Sequence, residues 1–339
     1  MSLTLLPLAV ILASWALTWW MRRQALAHQL LDVPNSRSSH TVATPRGGGV
    51  AIALSTLVTL LVLGGMGFLD WPSALTLNGG GFLVALIGFV DDRFHVAPRW
   101  RLVGHFVAAA WVLERLGGAP TLTAMGFVFD PGWLGLAIAV VYVVWMLNLT
   151  NFMDGIDGLA GVEVITVCLG GILLGQIAAP GTQLWIAPLV LAAATLGFLV
   201  WNWPPARIFM GDTGSGFLGF MLAALSLQAG WVASRLFWCW VILVGVFAVD
   251  ATVTLVVRVS RGEKFYVAHR SHAYQHAAVS HGAHLPVTVA VGLINVLWLL
   301  PVAVLVALGR LDGFVGVVIA YAPLVVAAVR LKAGRPFPA

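Results

Sequence analysis

Residues 151–161 read N-F-M-D-G-I-D-G-L-A-G and separate two long apolar runs, 132–147 and 162–178. Each run approaches the length of a membrane-spanning helix, so the polar break is predicted to lie at a membrane surface. Its glycines allow a tight turn and a close approach of the backbone to a ligand. Asp154 and Asp157 would share one face if the segment were helical. Two carboxylates there are costly unless a cation or a donor meets them, although helix-capping acids in a plain polar turn are the alternative.

The composition is that of an integral membrane protein. Of the 339 residues, 60% are hydrophobic and only 9% are charged, and a soluble domain of this length could not cover its surface with so few charges. We interpret the net charge of +5 as a topology signal and not as a surface that binds nucleic acid. Cys168 and Cys239 both lie in apolar runs, so they predict neither a disulfide framework nor a metal site.

The pattern of apolar runs predicts an all-α polytopic membrane protein, a single membrane-embedded domain over residues 1–339 with about eleven transmembrane helices. The predicted spans are 3–20, 48–68, 75–90, 102–116, 132–149, 160–178, 184–201, 214–230, 236–257, 286–308 and 313–330. If the N-terminus is outside, all 18 Lys and Arg residues except Arg115, Arg235 and Arg310 fall in inside loops or in the C-terminal tail. The positive-inside rule therefore predicts a cytoplasmic C-terminus, and it places the chemically rich loops on the cytoplasmic face.

The first two inside loops carry candidate phosphate and metal ligands. The first contains D-V-P-N-S-R-S-S-H (32–40) and T-P-R-G-G-G (44–49). A glycine-rich turn beside arginine can bind phosphate, but close helix packing explains three glycines at least as often. Asp91 and Asp92 follow an apolar run directly, where they oppose the dipole of the preceding helix. A divalent cation would make this placement favourable, and an ion-pair cluster with neighbouring arginines is the alternative.

The loop at 202–213 carries one more acidic residue. Pro204 and Pro205 are predicted to end the preceding helix. Asp212 precedes the next apolar run, where a simple N-cap and a metal ligand are equally plausible interpretations.

The longest inside loop, 258–285, is rich in histidine. His269, His272 and His276 have the spacing of one helical face. No cysteine accompanies them, and histidine with arginine suits phosphate at least as well as zinc. Asp250 lies inside the preceding predicted span, where it is either a functional acid or a structural partner.

Carboxylates surrounded by basic side chains on one membrane face indicate Mg²⁺ bridging to phosphate oxygens. The most economical function is phosphoryl transfer between a soluble nucleotide and a lipid. A secondary transporter would place its acids near the bilayer midplane, often in two repeated halves. An aromatic prenyltransferase would carry D-D-x-x-D, but the fifth position of that pattern is His95 here.

Several motifs then resemble one known superfamily when taken in order. These motifs are D-D (91–92), N-F-M-D-G-I-D-G-L-A-G (151–161), Asn202 with F-M-G-D-T-G-S-G (209–216), and H-R-S-H (269–272). They resemble the polyprenyl-phosphate N-acetylhexosamine-1-phosphate transferases, which include MraY and WecA. The motifs at 32–40 and 44–49 resemble the WbpL-type branch, which initiates O-antigen synthesis. The resemblance covers about residues 31–285.

The resemblance implies an enzyme of the bacterial inner membrane. It would transfer N-acetylhexosamine 1-phosphate from a UDP-sugar, such as UDP-GlcNAc or UDP-FucNAc, to undecaprenyl phosphate and release UMP. Nucleic acid would not be a partner, and a homodimer is one candidate for the oligomeric state. Mg²⁺ would be the cofactor, with Mn²⁺ as a substitute.

The resemblance also implies roles for particular residues. Asp91, Asp92 and Asp212 would be catalytic, and the same three with Asp154 would bind the metal. The implied substrate-binding residues are Arg37, His40, Arg46, Asn151, Asp154, Asp157, Asn202, His269, Arg270 and His272. The chain lacks the lysine that MraY-like sequences have before the T-P motif, and Arg37, His40 or Arg46 could take its place. The interrupted H-R-S-H block argues against a muramyl-pentapeptide substrate.

Overall fold

A computed structural model describes residues 3–34, 42–94, 96–130, 132–264 and 269–337. Arg37 and His40, two of the predicted substrate-binding residues, lie outside these ranges. Within them the fold is a bundle of helices with two short antiparallel strand pairs. β1 (Leu31–Asp32) pairs with β2 (Thr44–Pro45), and β3 (Leu122–Ala124) pairs with β4 (Phe127–Phe129).

The helices follow the apolar runs of the sequence closely. The first seven are α1 (Leu6–Ala27), α2 (Gly49–Gly65), α3 (Trp71–Phe94), α4 (Pro98–Leu116), α5 (Gly132–Met153), α6 (Leu159–Ala178) and α7 (Ile186–Asn202). The others are α8 (Asp212–Val232), α9 (Ser234–Leu243), α10 (Gly245–Ser260), α11 (Ala273–His281), α12 (Leu285–Ile294), α13 (Leu300–Ala307) and α14 (Gly313–Arg330). A π-helical segment (Asn295–Leu299) joins α12 to α13.

Among the described residues, six helical segments are long and apolar enough to cross a membrane. They are α3, α5, α6, α8, the continuous segment α12–α13, and α14. The pair α9 and α10 would make a seventh, and α2 and α7 are shorter apolar helices. These findings confirm an all-α, multi-pass membrane protein. The count of eleven spans and the orientation with the N-terminus outside stay predictions.

The segment predicted as a span over 236–257 is bent. α9 and α10 form a break there and meet at 68°. A Cβ at Gly245, the first residue of α10, would lie 3.0 Å from the Tyr321 ring, so the chain turns where a glycine packs against an aromatic side chain. Hydropathy could not reveal this bend, because the residues on both sides of it are apolar.

The helix α8 is the centre of the bundle. In the most apolar 18-residue stretch of α8, 83% of the residues are buried, and the helices α3 and α5 pack against α8. A Cβ at Gly49 would overlap the backbone of Gly214, and a Cβ at Gly88 would overlap the carbonyl of Asp212. The backbones of α2, α3 and α8 therefore approach closely at one end of the bundle. For Gly49 in T-P-R-G-G-G, close helix packing is the interpretation that the structure supports.

Candidate active site

Asp91 and Asp92 lie in the last turn of α3, where that helix meets the start of α8. Both carboxylate oxygens of Asp92 accept hydrogen bonds from the first turn of α8. The donors are the backbone N–H of Asp212 at 2.9 Å, the backbone N–H of Thr213 at 3.0 Å and the hydroxyl of Thr213 at 2.8 Å. The partial positive charge at the N-terminus of α8 therefore offsets the unfavourable position of Asp92 at the end of α3.

This contact also decides the role of Asp212 at its helix end. The N-cap of α8 is Gly211, with φ +78°, and the carboxylate of Asp212 forms no cap hydrogen bond. The interpretation of Asp212 as a simple N-cap is therefore wrong. The N–H groups that an N-cap at Asp212 would bind, those of Gly214 and Ser215, donate to the carbonyl of Gly211 instead, both at 3.1 Å.

Gly211→Ala is expected to reduce turnover by about tenfold or more, since a Cβ here would lie 2.7 Å from an Asp92 oxygen and the backbone has positive φ. The measurement is turnover per folded protein in detergent. Gly181→Ala is the control, because Gly181 also has positive φ (+82°) but a Cβ there would meet open space. Equal effects of the two substitutions on turnover would contradict the importance of the Asp92 contact.

Two arginines connect the carboxylates. Arg46 Nη2 lies 2.9 Å from Asp92 Oδ1 and 2.9 Å from Asp212 Oδ1. Arg101, in the first turn of α4, donates from Nη1 to Asp91 and to Asp212, the second bond being 2.9 Å long. Arg46 was predicted as a site residue. Arg101 was not among the predicted site residues, yet it lies between two of the acids.

The 151–161 stretch contributes the next two side chains. Asn151, in the last turn of α5, donates from Nδ2 to Asp212 Oδ1 at 3.1 Å and to Ser215 at 2.9 Å. Asp154 follows the end of α5, and its carboxylate accepts no hydrogen bond from any group in the described ranges. Burial raises the pKa of Asp154 well above its usual range, although the charge of Arg46 works in the opposite direction. Asp154 is thus the acid of this cluster whose oxygens have no hydrogen-bond donor in the described part of the chain.

Asp157 and Asn202 lie beside the cluster and hold two loops together. Asp157 accepts from the backbone N–H of Ala206 at 3.0 Å and lies 3.2 Å from His284 Nδ1. Asn202 is buried, accepts from the N–H of Gly158 at 2.9 Å and donates to the carbonyl of Ile208 at 2.9 Å. Asp154 and Asp157 do not share a helical face, because residues 154–158 form a turn between α5 and α6.

The H-R-S-H block packs against Phe152, the residue after Asn151. α11 begins at Ala273, so the prediction that His269, His272 and His276 share a helical face is wrong. The His269 and His272 rings stack at 4.8 Å instead, and both lie within 6.4 Å of the Phe152 ring. Burial, followed by the nearby charges of His272 and Arg258, lowers the pKa of His269 to about 4, so this ring is neutral at pH 7.

An open groove runs between these segments. Its volume is about 600 Å³, and its lining includes Thr44, Asp157, Pro205, Phe209, Arg270 and His284. The buried Nε of Arg270 has no hydrogen-bond partner among the described residues, and its guanidinium lies 5.1 Å from the Phe337 ring. This volume is in the range of small-ligand sites, and an unpaired guanidinium N–H suits a phosphate oxygen.

The chain has known relatives. Residues 74–230 match a family model described as Glycosyl transferase family 4. The phospho-N-acetylmuramoyl-pentapeptide-transferase of Synechococcus elongatus is 31% identical over 276 residues, which are 75% of this chain and 70% of the relative. The chain belongs to glycosyl transferase family 4.

Two further relatives are similar over most of the chain. A probable undecaprenyl-phosphate N-acetylglucosaminyl 1-phosphate transferase of Bacillus subtilis is 28% identical, over 81% of this chain and 77% of the relative. The decaprenyl-phosphate N-acetylglucosaminephosphotransferase of Mycolicibacterium smegmatis is 27% identical, over 67% of this chain and 60% of the relative. These findings confirm the predicted superfamily and an enzyme of the phospho-sugar transferase type. Because the relatives carry different sugars in their names, the WbpL-type branch stays a prediction.

The family 4 match includes the acids at 91, 92, 154, 157 and 212, but it excludes Arg46 and the H-R-S-H block.

Neither Glu163 nor the partner of Asp250 was identified from the sequence. Glu163 is fully buried in α6 and accepts a hydrogen bond from Asn295 at 2.7 Å. An acidic residue within an apolar run was the signal that could have revealed it. Asp250 was noted, but its partner was not identified.

Proposed function

We propose that the chain transfers N-acetylhexosamine 1-phosphate from a UDP-N-acetylhexosamine to undecaprenyl phosphate and releases UMP. The observation that carries this proposal is the cluster of Asp91, Asp92, Asp154 and Asp212 with Arg46 and Arg101. Guanidinium groups and carboxylates at one point suit a reaction in which phosphate charge must be positioned and neutralised. The names of the relatives support a polyprenyl phosphate acceptor and an N-acetylhexosamine donor.

The acceptor needs little activation. Its phosphate monoester has a second pKa near 6 and is mostly a dianion at pH 7, so no strong general base is required. The acceptor oxygen attacks the β-phosphorus of the donor, the bond to the UMP oxygen breaks, and UMP leaves. Arg46 and Arg101 offset the phosphate charge, and Arg270 binds the donor from the adjoining groove.

The donor set of the cluster fits Mg²⁺. In the described residues no group of three or more His, Cys, Asp or Glu side chains is arranged to hold a metal by itself. Three carboxylates, those of Asp91, Asp92 and Asp212, nevertheless share two guanidinium groups here, and the oxygens of Asp154 accept no hydrogen bond within the described ranges. We propose Asp91, Asp154 and Asp212 as the ligands, with Mn²⁺ as a substitute. When bound, the ion would neutralise phosphate charge.

The other predicted site residues take supporting roles in this proposal. Asp92 positions α8, and Asp157 and Asn202 hold the loops that border the groove. We keep Arg37 and His40 as proposed contacts of the substrate. The neutral ring of His269 would donate or accept a hydrogen bond without adding charge.

Further proposals concern the pathway and the membrane. The interrupted H-R-S-H block favours a donor without a muramyl peptide, hence initiation of O-antigen or a related surface polysaccharide. The distribution of Lys and Arg favours eleven spans in the bacterial inner membrane, with the site on the cytoplasmic face. The proposed reaction accommodates a homodimer and does not require one.

The proposal is tested by UMP release from purified protein in detergent. The donors are UDP-GlcNAc, UDP-GalNAc, UDP-FucNAc, UDP-QuiNAc and UDP-MurNAc-pentapeptide, each with a short polyprenyl phosphate and Mg²⁺. We expect UMP with at least one N-acetylhexosamine donor and none without the lipid. Release only from the muramyl pentapeptide donor would contradict the proposed pathway, and release from no donor would contradict the proposed function.

A further inference from the structure

The carboxylate of Asp250, in α10, is buried and meets four donors. Oδ1 accepts from the backbone N–H of Ala273 at 2.9 Å and from the hydroxyl of Thr254 at 3.1 Å, and Oδ2 accepts from the backbone N–H of Tyr274 at 2.9 Å. The fourth partner is His272 Nδ1, 3.2 Å from Oδ1. A buried carboxylate is stable only with such partners, and the N-terminus of α11 supplies two of them.

The hydrogen bond to Asp250 fixes the state of the His272 ring. An ionised carboxylate can only accept, so Nδ1 must carry the proton. The lone pair of the neutral ring is then on Nε2, which makes no hydrogen bond within the described part of the chain. The ring stacks between His269 at 4.8 Å and Tyr274 at 5.6 Å, so its plane is held as well.

Residues 151 and 152 lie between the His272 ring and the acidic cluster, and they contact both. The Phe152 ring lies 6.2 Å from His272, and the Tyr274 hydroxyl donates to the carbonyl of Phe152 at 3.0 Å. Asn151, the preceding residue, donates to Asp212. A side chain that is buried, oriented by a carboxylate and left with one open nitrogen beside a phosphate site is arranged to bind.

We propose that Asp250 is a positioning residue that holds His272 with Nδ1 protonated and Nε2 free for the diphosphate of the sugar nucleotide. This inference rests on the proposed function and extends it to a residue that does not itself touch the substrate. A phosphate oxygen can accept from Nε2 only when the ring carries both protons, and the Asp250 carboxylate offsets the positive charge of that form. The imidazolium then donates to a phosphate oxygen.

Kinetics with UDP-GlcNAc, or with whichever UDP-sugar proves active, test the coupling. Asp250→Asn should raise the KM for the sugar nucleotide about tenfold to a hundredfold, with kcat changed by less than about threefold. His272→Gln should do the same, and the double variant should be no worse than His272→Gln alone. Thr254→Val is the control, since it removes a donor from the same carboxylate without touching the histidine. A loss of kcat at unchanged KM, or effects that multiply in the double variant, would overturn the proposal.

A second measurement reads the tautomer in the wild-type protein and does not depend on Asp250→Asn. Isotope-labelled histidine is observed by NMR in lipid nanodiscs, and the His272 signal is the one lost in His272→Gln. We expect a protonated Nδ1 and, in the neutral ring of the free enzyme, an unprotonated Nε2. The opposite tautomer would overturn the inference even if Asp250→Asn fails to fold. If no UDP-sugar is a substrate, the proposed function fails, while this measurement still decides the arrangement of the ring.

Discussion

Replacing Asp212 with asparagine is expected to lower kcat by about a thousandfold, with little change in thermal stability. Asp212 is the carboxylate that both arginines share, and it also accepts from Asn151. A neutral amide would hold neither the guanidinium groups nor a divalent cation well. The fold should persist, because Arg46 stays paired with Asp92 and Arg101 with Asp91.

The measurement is the rate of UMP release at saturating substrates, together with thermal unfolding in detergent. Asp130→Asn is the control, because Asp130 is an exposed acid. Turnover of Asp212→Asn within about tenfold of the wild type would remove this carboxylate from the proposed chemistry.

Asp92→Asn is expected to have a different signature, a loss of both stability and turnover. Asparagine has one acceptor oxygen, so an N–H of the first turn of α8 would lose its partner, and Arg46 would lose an ion pair that is largely buried on the Asp92 side. We expect the free energy of unfolding to fall by about 2–4 kcal/mol, which lowers the unfolding midpoint by about 3–6 °C.

The comparison of Asp92→Asn with Asp212→Asn separates positioning from chemistry. Turnover per total Asp92→Asn protein should recover in part when the assay is run well below the unfolding midpoint, whereas Asp212→Asn should stay inactive. An Asp92→Asn variant with unchanged stability and a thousandfold loss of turnover would restore Asp92 to the predicted catalytic set.

The sequence predicted the helical class and most helix positions, because long apolar runs have few alternatives in a membrane protein. It also predicted that the acids at 91, 92, 154, 157 and 212 would gather on one surface, because charges that are costly near a membrane are expected to share partners. Asp157 lies beside the other four and contacts His284 instead. What it could not show is which partner each acid has. Asp92 and Asp212 look alike in sequence, yet one binds the N-terminus of α8 and the other binds two arginines.

The remaining errors have a common physical origin. Local periodicity predicted helical faces for the 154–157 acids and for the histidines, but tertiary contacts decided both segments. Residues 154–158 turn because their neighbours Asn202 and Ala206 bind the backbone and side chains of the turn. His272 precedes the first residue of α11, because Asp250 binds the first N–H groups of that helix. Contacts between residues so far apart in the chain leave no local signal.

The most direct test of the central claim follows the β-phosphorus of the donor. The enzyme is given a UDP-N-acetylhexosamine radiolabelled at that atom, with polyprenyl phosphate and Mg²⁺, and the lipid and aqueous products are separated. Transfer of the sugar 1-phosphate predicts label in the lipid, in equal amount to the unlabelled UMP released. Label that stays in the aqueous phase as UDP, while the sugar moves to the lipid, would contradict the account.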